Sequence, residues 1–178
     1  VLIPYWREFV SFAKAHGVVK IGLEMHQAFC VYNTETLLRL REAVGPEIGA
    51  NLDPSHLIWQ GMDPIAVIRR LGGDAIFHVH AKDTKIDAAN ASVNGVLDAK
   101  SYADEIHRSW IFRSIGYGHD ELFWKDFVSN LRLVGYDYVL SIEHEDSLLG
   151  KNEGLVKAID VLKRAIPFEE KMTSMRWI

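Results

Sequence analysis

Hydrophobic positions along this chain follow two alternating rhythms. Trp6, Phe9, Val10 and Ala13 fall at helical spacing behind Pro4, which a first helical turn tolerates, and Gly17 ends that run. Residues 18–26 read as a mostly buried strand that turns polar only at its far end, in Glu24-Met25-His26. Thr34 is expected to cap a helix running through Leu37, Leu40 and Val44 to Gly45-Pro46. Residues 48–53 form the next short strand. Asp63-Pro64 opens a helix with Ile65, Ile68 and Leu71 inward and Gly72-Gly73 as its stop, and residues 75–81 are the third strand. Residues 82–115 then show no strong period, and a loop that long in a compact domain is expected to be functional or mobile. Phe123, Phe127, Leu131 and Val134 restore the helical spacing. Gly135-Tyr136-Asp137 turns into a fourth strand, 138–144. A last helix carries Leu155, Ile159, Leu162 and Ile166 and stops at Pro167, leaving a tail, 167–178, that either docks on a partner or packs across the bottom of its own fold.

A helix followed by four strand–helix units predicts an α/β fold with a parallel sheet and right-handed crossovers. At 178 residues the chain suits one domain, 1–178. Its hydrophobic fraction of 48% is that of an ordinary globular protein, and its net charge of −4 argues against a nucleic-acid or anionic-membrane surface. No apolar run approaches the roughly 20 residues that span a bilayer. The single Cys30 has no internal disulfide partner, which makes the cytoplasm the expected compartment. The sequence opens on Val1-Leu2-Ile3-Pro4, without Met or a signal pattern, and is read as a downstream piece of a longer polypeptide.

Each strand ends in residues able to bind a metal: Glu24-Met25-His26, Asp53-Pro54-Ser55-His56, His78-Val79-His80 and Glu143-His144-Glu145-Asp146. In parallel α/β folds the carboxyl ends of the strands line one shared crevice, so distant ligands meet there without any local motif. A single acidic residue at a strand end is more often a cap or an ion-pair partner, but four such positions on consecutive strands point to a joint site. Glu24, Asp53, His80 and Glu143 form a hard, oxygen-rich set suited to Mn²⁺, or to Mg²⁺, Co²⁺ or Fe²⁺. His78 and His80 alternate onto one face, with His80 nearer the mouth and His78 one layer deeper. His56, three residues after Asp53, is placed on substrate or behind the ligands. Lys82-Asp83 either reaches over the mouth to substrate or forms a surface ion pair. Trp59, Trp110, Phe112, Tyr117, Phe123 and Trp124 are candidates to stack on the face of a ligand, with Phe123 more readily a core residue.

The runs Asn51-Leu52-Asp53-Pro54-Ser55-His56-Leu57, His78-Val79-His80-Ala81-Lys82-Asp83, Gly116-Tyr117-Gly118-His119-Asp120 and Ser141-Ile142-Glu143-His144-Glu145-Asp146 together resemble the sugar phosphate isomerase/epimerase family. That resemblance implies a xylose isomerase-like (β/α)8 TIM barrel of which this chain supplies the last four units, strands five to eight, with another chain or a preceding segment supplying the rest. It implies the metal ligands Glu24, Asp53, His80 and Glu143, and acid/base work by Glu24 and Glu143 assisted by His56. Candidate substrate contacts are His56, Lys82, Asp83, Arg113, His119 and Trp59. The implied reaction is isomerisation or epimerisation of a sugar or sugar derivative through a metal-stabilised enediolate. Ile86 departs from the arginine that ketose 3-epimerases carry six residues after the ligand histidine, which counts against ketose 3-epimerisation as such; Arg113, Lys82 and Lys85 are the candidates to stand in. The alternatives are a lyase that cleaves 3-keto C-glycosides on the same scaffold and a non-catalytic sugar- or partner-binding fragment. Phosphodiester hydrolysis on the same barrel would need more histidines and a basic surface.

Overall fold

A computed structural model describes residues 1–169; the tail reading for 170–178 lies outside the described residues. The chain opens with α1 (Leu2–Ala15), which buries Val10 and Ala13 and stops before Gly17, whose φ of +82° lets the chain turn. Strand β1 (Ile21–Glu24) leads to α2 (Thr34–Val44). The cap of α2 is Asn33, one residue before the expected Thr34. Its side chain accepts from the Thr36 backbone N–H while the Thr36 hydroxyl receives the Asn33 N–H, a capping box closed by a threonine. Strand β2 (Ile48–Leu52) runs straight into a short helix, α3 (Pro54–Trp59), and α4 (Pro64–Leu71) starts at the expected Asp63 cap. Helix α3 has no apolar period of its own because all six of its residues are buried.

Strand β3 (Ile76–Ala81) is followed by β4 (Asp83–Ile86), α5 (Ala88–Asn94) and β5 (Trp110–Arg113). The expected featureless stretch 82–115 is therefore largely ordered: β4 and β5 pair antiparallel as a hairpin, with α5 and a loop between them. Four-residue strands are too short to show a period. Then come α6 (Glu121–Leu133), β6 (Leu140–Ile142) and α7 (Lys151–Ala165).

Strands β1, β2, β3 and β6 form one parallel sheet in that order, which leaves β1 and β6 as its edges among the described residues. Register assigns the two faces. Leu23, Ala50 and Ile76 align across three strands, as do Leu52 with Val79 and Leu140, and Ala81 with Ile142. These residues meet the core built by α2, α4, α6 and α7, where Leu37, Ile68, Phe127 and Leu162 are buried. The opposite face is polar: Glu24, Asn51 and His78 lie in one row, His80 and Ser141 in the next. A register shift between Ala50 and Asn51 leaves Phe77 opposite no residue of β2, and Gly49 provides the room its ring needs. Parallel sheets are normally covered on both faces; among the described residues helices cover one here, and the polar face carries the candidate chemistry.

Candidate metal centre

The four strand ends bring Glu24, Asp53, His80 and Glu143 together, with one ligand atom of each within 4.8 Å of all the others. Glu24 is the last residue of β1. Asp53 follows β2 and caps α3, so its carboxylate is split between two jobs: Oδ1 accepts the Ser55 N–H at 2.8 Å, while Oδ2 turns to the site. His80 lies on β3, and Glu143, one residue past β6, donates its own N–H to the Ala81 carbonyl at 3.2 Å. The His80 Nδ1 atom lies 3.3 Å from Glu24 Oε2, 3.9 Å from Asp53 Oδ2 and 2.9 Å from Glu143 Oε2. Asn51 steers this ring: its side-chain amide sits 3.2 Å from His80 Nε2 and donates to Glu24 Oε2 at 3.3 Å.

The donor set fits a hard divalent cation. Asp53 Oδ2 and Glu143 Oε2 are buried carboxylate oxygens that make no hydrogen bond among the described residues, even with His80 and Lys82 nearby. Buried anionic oxygens are costly unless something positive faces them. Two of them converge on one imidazole nitrogen, so these lone pairs share a common focus.

Around this focus stand two further side chains, an imidazole and an ammonium. His56, on α3, places Nε2 3.0 Å from Glu24 Oε1 and 3.5 Å from Asp53 Oδ2. That ring beside Glu24 holds its carboxyl below the usual carboxylate range against the opposing effect of burial, with His80 and Lys82 acting in the same direction. Lys82 is 2% exposed and lies 3.4 Å from Asp53 Oδ2, 3.2 Å from Glu143 Oε1 and 2.7 Å from Glu145 Oε2, with its ammonium 4.4 Å from the Phe112 ring centre. Burial alone would push Lys82 down, but Asp53, Glu145 and Glu143 outweigh it, so the ammonium is held above the ordinary lysine range. A cavity of about 430 Å³ opens here, lined by Glu24, His26, His56, Lys82, Tyr102, Phe112, Glu143 and Glu145.

The remaining sequence candidates fall elsewhere. Lys82 and Asp83 form no surface pair: both are buried, and they point to different places. Asp83 Oδ2 accepts backbone N–H groups from Gly116, Gly118 and His119 and the Trp124 indole N–H, while Oδ1 accepts from Thr84 N–H and the His119 ring at 2.7 Å. Asp83 therefore anchors the turn 116–119 and holds His119, and has no valence left for a ligand. Arg113 donates to Asp146 at 3.0 Å and covers Tyr117. Trp59 is buried and stacks flat on Trp110 at 4.5 Å. His78 pairs with Ser141 at 2.8 Å on the polar face. Sequence reading gave no site role to Tyr102 or Asn51; Asn51 lies on the polar face of β2, two residues before Asp53, a spacing that was available.

A family model for the xylose isomerase-like TIM barrel matches residues 1–165. The chain is 46% identical over 166 residues to the uncharacterized protein YfiH of Bacillus subtilis (strain 168), covering 93% of this chain and 53% of that one. Among solved structures, a xylose isomerase domain protein from Planctomyces limnophilus superposes with a TM-score of 0.66 at 23% identity, over 92% of this chain and 50% of the other. The IolI protein, solved with a zinc atom bound, superposes with a TM-score of 0.65 at 24% identity, over 92% of this chain and 54% of its own. The chain thus spans about half the length of these relatives. On the span of the family match, this chain belongs to the xylose isomerase-like TIM barrel family.

Proposed function

We propose that this chain carries the metal-binding half of a divalent-metal-dependent sugar isomerase or epimerase, with Mn²⁺ as the working ion. The observation that supports this most directly is the convergence of Glu24, Asp53, His80 and Glu143 with two buried carboxylate oxygens that make no hydrogen bond. In this reading the chain contributes the last four β/α units of the barrel. The polar sheet face and the two sheet edges, uncovered among the described residues, and the aromatic residues Tyr5, Phe9 and Phe12 left exposed on α1 support a further half that packs against them. The single Cys30, exposed and unpaired, suits a cytoplasmic setting.

A bound divalent ion supplies Lewis-acid polarisation of a substrate carbonyl, which acidifies the neighbouring C–H. The protein's own groups do the rest. Glu24 and Glu143 stand on opposite flanks of His80, so one carboxylate removes the proton and the other returns one to a different carbon or face. His56 holds Glu24 in place through its Nε2 contact. Lys82, dry and permanently charged, offsets the developing oxyanion.

The experiment is proton exchange. The intact protein loaded with Mn²⁺ is incubated in deuterated water with ketoses, inososes and 3-keto glycosides, and deuterium beside the carbonyl is read by NMR. Incorporation that disappears in Glu143→Gln while Mn²⁺ stays bound supports the reading. Full turnover in that variant rules Glu143 out as base, and no exchange with any substrate sinks the isomerase proposal. Release of an aglycone from a 3-keto C-glycoside would favour the lyase instead, a reading to which the aromatic wall of Tyr102 and Phe112 lends support.

A further inference from the structure

Tyr102 is 61% exposed, yet its ring is held on several sides. The Arg108 guanidinium lies 4.4 Å from the Tyr102 ring centre and 4.6 Å from that of Trp110. Arg108 is only 2% exposed, and among the described residues it has no carboxylate partner; its Nε–H donates to the Trp110 carbonyl at 3.1 Å, and a second N–H donates to the Lys100 carbonyl. A buried arginine without a counter-ion is costly, and here two aromatic faces and two carbonyls offset that cost. Phe112 lies nearly parallel to Tyr102, at 6.1 Å and 18°.

The loop that carries Tyr102 is fixed by a separate device. Asp98 accepts the backbone N–H groups of Lys100 at 2.9 Å and Ser109 at 2.7 Å, tying the two ends of the loop together. The wall behind it is continuous with the metal site: Trp110 stacks on Trp59, at the end of the helix that Asp53 caps, and Phe112 meets His56 edge-on at 5.4 Å. Trp110 and Phe112 are explained as packing because they are 3% and 8% exposed; Tyr102 is not, because it is 61% exposed and lines the cavity that contains Glu24 and Glu143.

We infer that Tyr102 is the specificity-determining residue of this site, and that it selects cyclic substrates by stacking on their apolar C–H face. The inference rests on the sugar-enzyme reading above and deepens it. One wall of the cavity offers carboxylates, imidazoles and an ammonium to hydroxyl groups, and the other offers the Tyr102 ring, already held in place by Arg108 and Phe112. A sugar-like ring has both a polar rim and a flat apolar face and matches both walls; an open chain has no such face.

The test compares dissociation constants, measured by calorimetry on the intact Mn²⁺-loaded protein, for a cyclic inosose and for L-erythrulose, a ketose too short to close a ring. The expected result is a preference for the cyclic ketone of about tenfold, the order of one well-made aromatic stack. It collapses in Tyr102→Ala and persists in Tyr102→Phe, while Mn²⁺ affinity is unchanged in both. The ratio of the two constants is the readout, because general loosening of the loop would weaken both ligands alike. A preference that survives Tyr102→Ala, a loss shared equally by both ligands, or Mn²⁺ binding with no saturable inosose binding each overturns this inference. Failure of the wild-type protein to bind Mn²⁺ instead overturns the reading it rests on.

Discussion

The Lys82 ammonium lies 3.4 Å from Asp53 Oδ2, and with side-chain exposures of 2% and 0% neither group meets bulk water. A permanent positive charge is thus built into the ring of carboxylates that would hold a cation. It stabilises the acidic cluster without metal and competes with metal when one binds.

Replacing Lys82 by Met removes that competitor while keeping the bulk of the side chain. The Lys82→Met protein is expected to bind Mn²⁺ at least about tenfold tighter by titration calorimetry, since two charges about 4 Å apart interact by several kcal/mol at an effective dielectric near 20. The metal-free variant should melt earlier, with carboxylates left facing one another, and Mn²⁺ should restore the loss. Weaker Mn²⁺ binding would mean that Lys82 holds the ligands in place rather than competing with the ion.

Asp83 makes the opposite case, a charge used wholly for architecture. Asp83→Asn keeps the shape but puts an amide donor where six protein donors converge, among them the His119 N–H at 2.8 Å. Leaving buried donors unmatched costs about 1–3 kcal/mol each, so a loss of about 3 kcal/mol is expected in urea unfolding. A change below about 1 kcal/mol would refute the anchoring role.

Asp146 gives the acid limb of the stability curve a specific origin. Burial raises its carboxyl, but the Ser114 N–H, the Arg113 guanidinium and the Leu148 N–H outweigh that and hold it below the ordinary Asp value. A group depressed in the folded state stabilises fully above its unfolded pKa, about 3.9, and its contribution is lost as the pH falls through the folded value. Asp146→Asn should therefore be less stable than wild type at pH 7, and the gap should narrow as the pH drops below about 4. A gap that stays constant across that window would show that Asp146 acts by shape alone.

Much of this was legible from sequence because parallel strands deliver their carboxyl ends to one rim. Glu24, Asp53, His80 and Glu143 could be grouped from four strand ends, without a local motif. The region 82–115 was not legible, for two physical reasons. Strands β4 and β5 are too short to display a period, and the aromatic residues between Tyr102 and Phe112 are organised by Arg108, whose burial no pattern announces. Asp83, Arg113 and His119 had the right chemistry for a site, but sequence spacing does not reveal which acceptors are already filled. Trp59 has the chemistry of a stacking surface, and its ring is buried flat against Trp110.

Asp53 allows the metal role to be separated from folding, because its two oxygens serve different partners. Asn caps helices about as well as Asp, and Lys82 keeps Glu143 and Glu145 as counter-ions, so Asp53→Asn should keep the Ser55 contact and leave metal-free stability within about 1 kcal/mol of wild type. It loses the negative charge on the oxygen that faces the site. At a Mn²⁺ concentration about one hundred times its dissociation constant, wild-type protein should gain about 2.7 kcal/mol. For a chain of this size that is a rise of about 5–10 °C in Tm, reversed by EDTA. In Asp53→Asn the rise should shrink to a few degrees or vanish, while the melting temperature in EDTA matches that of wild type. An equal Mn²⁺ shift in both proteins would remove Asp53 from the ligand set. A large drop for the variant already in EDTA would show instead that the capping and metal roles cannot be separated at this residue.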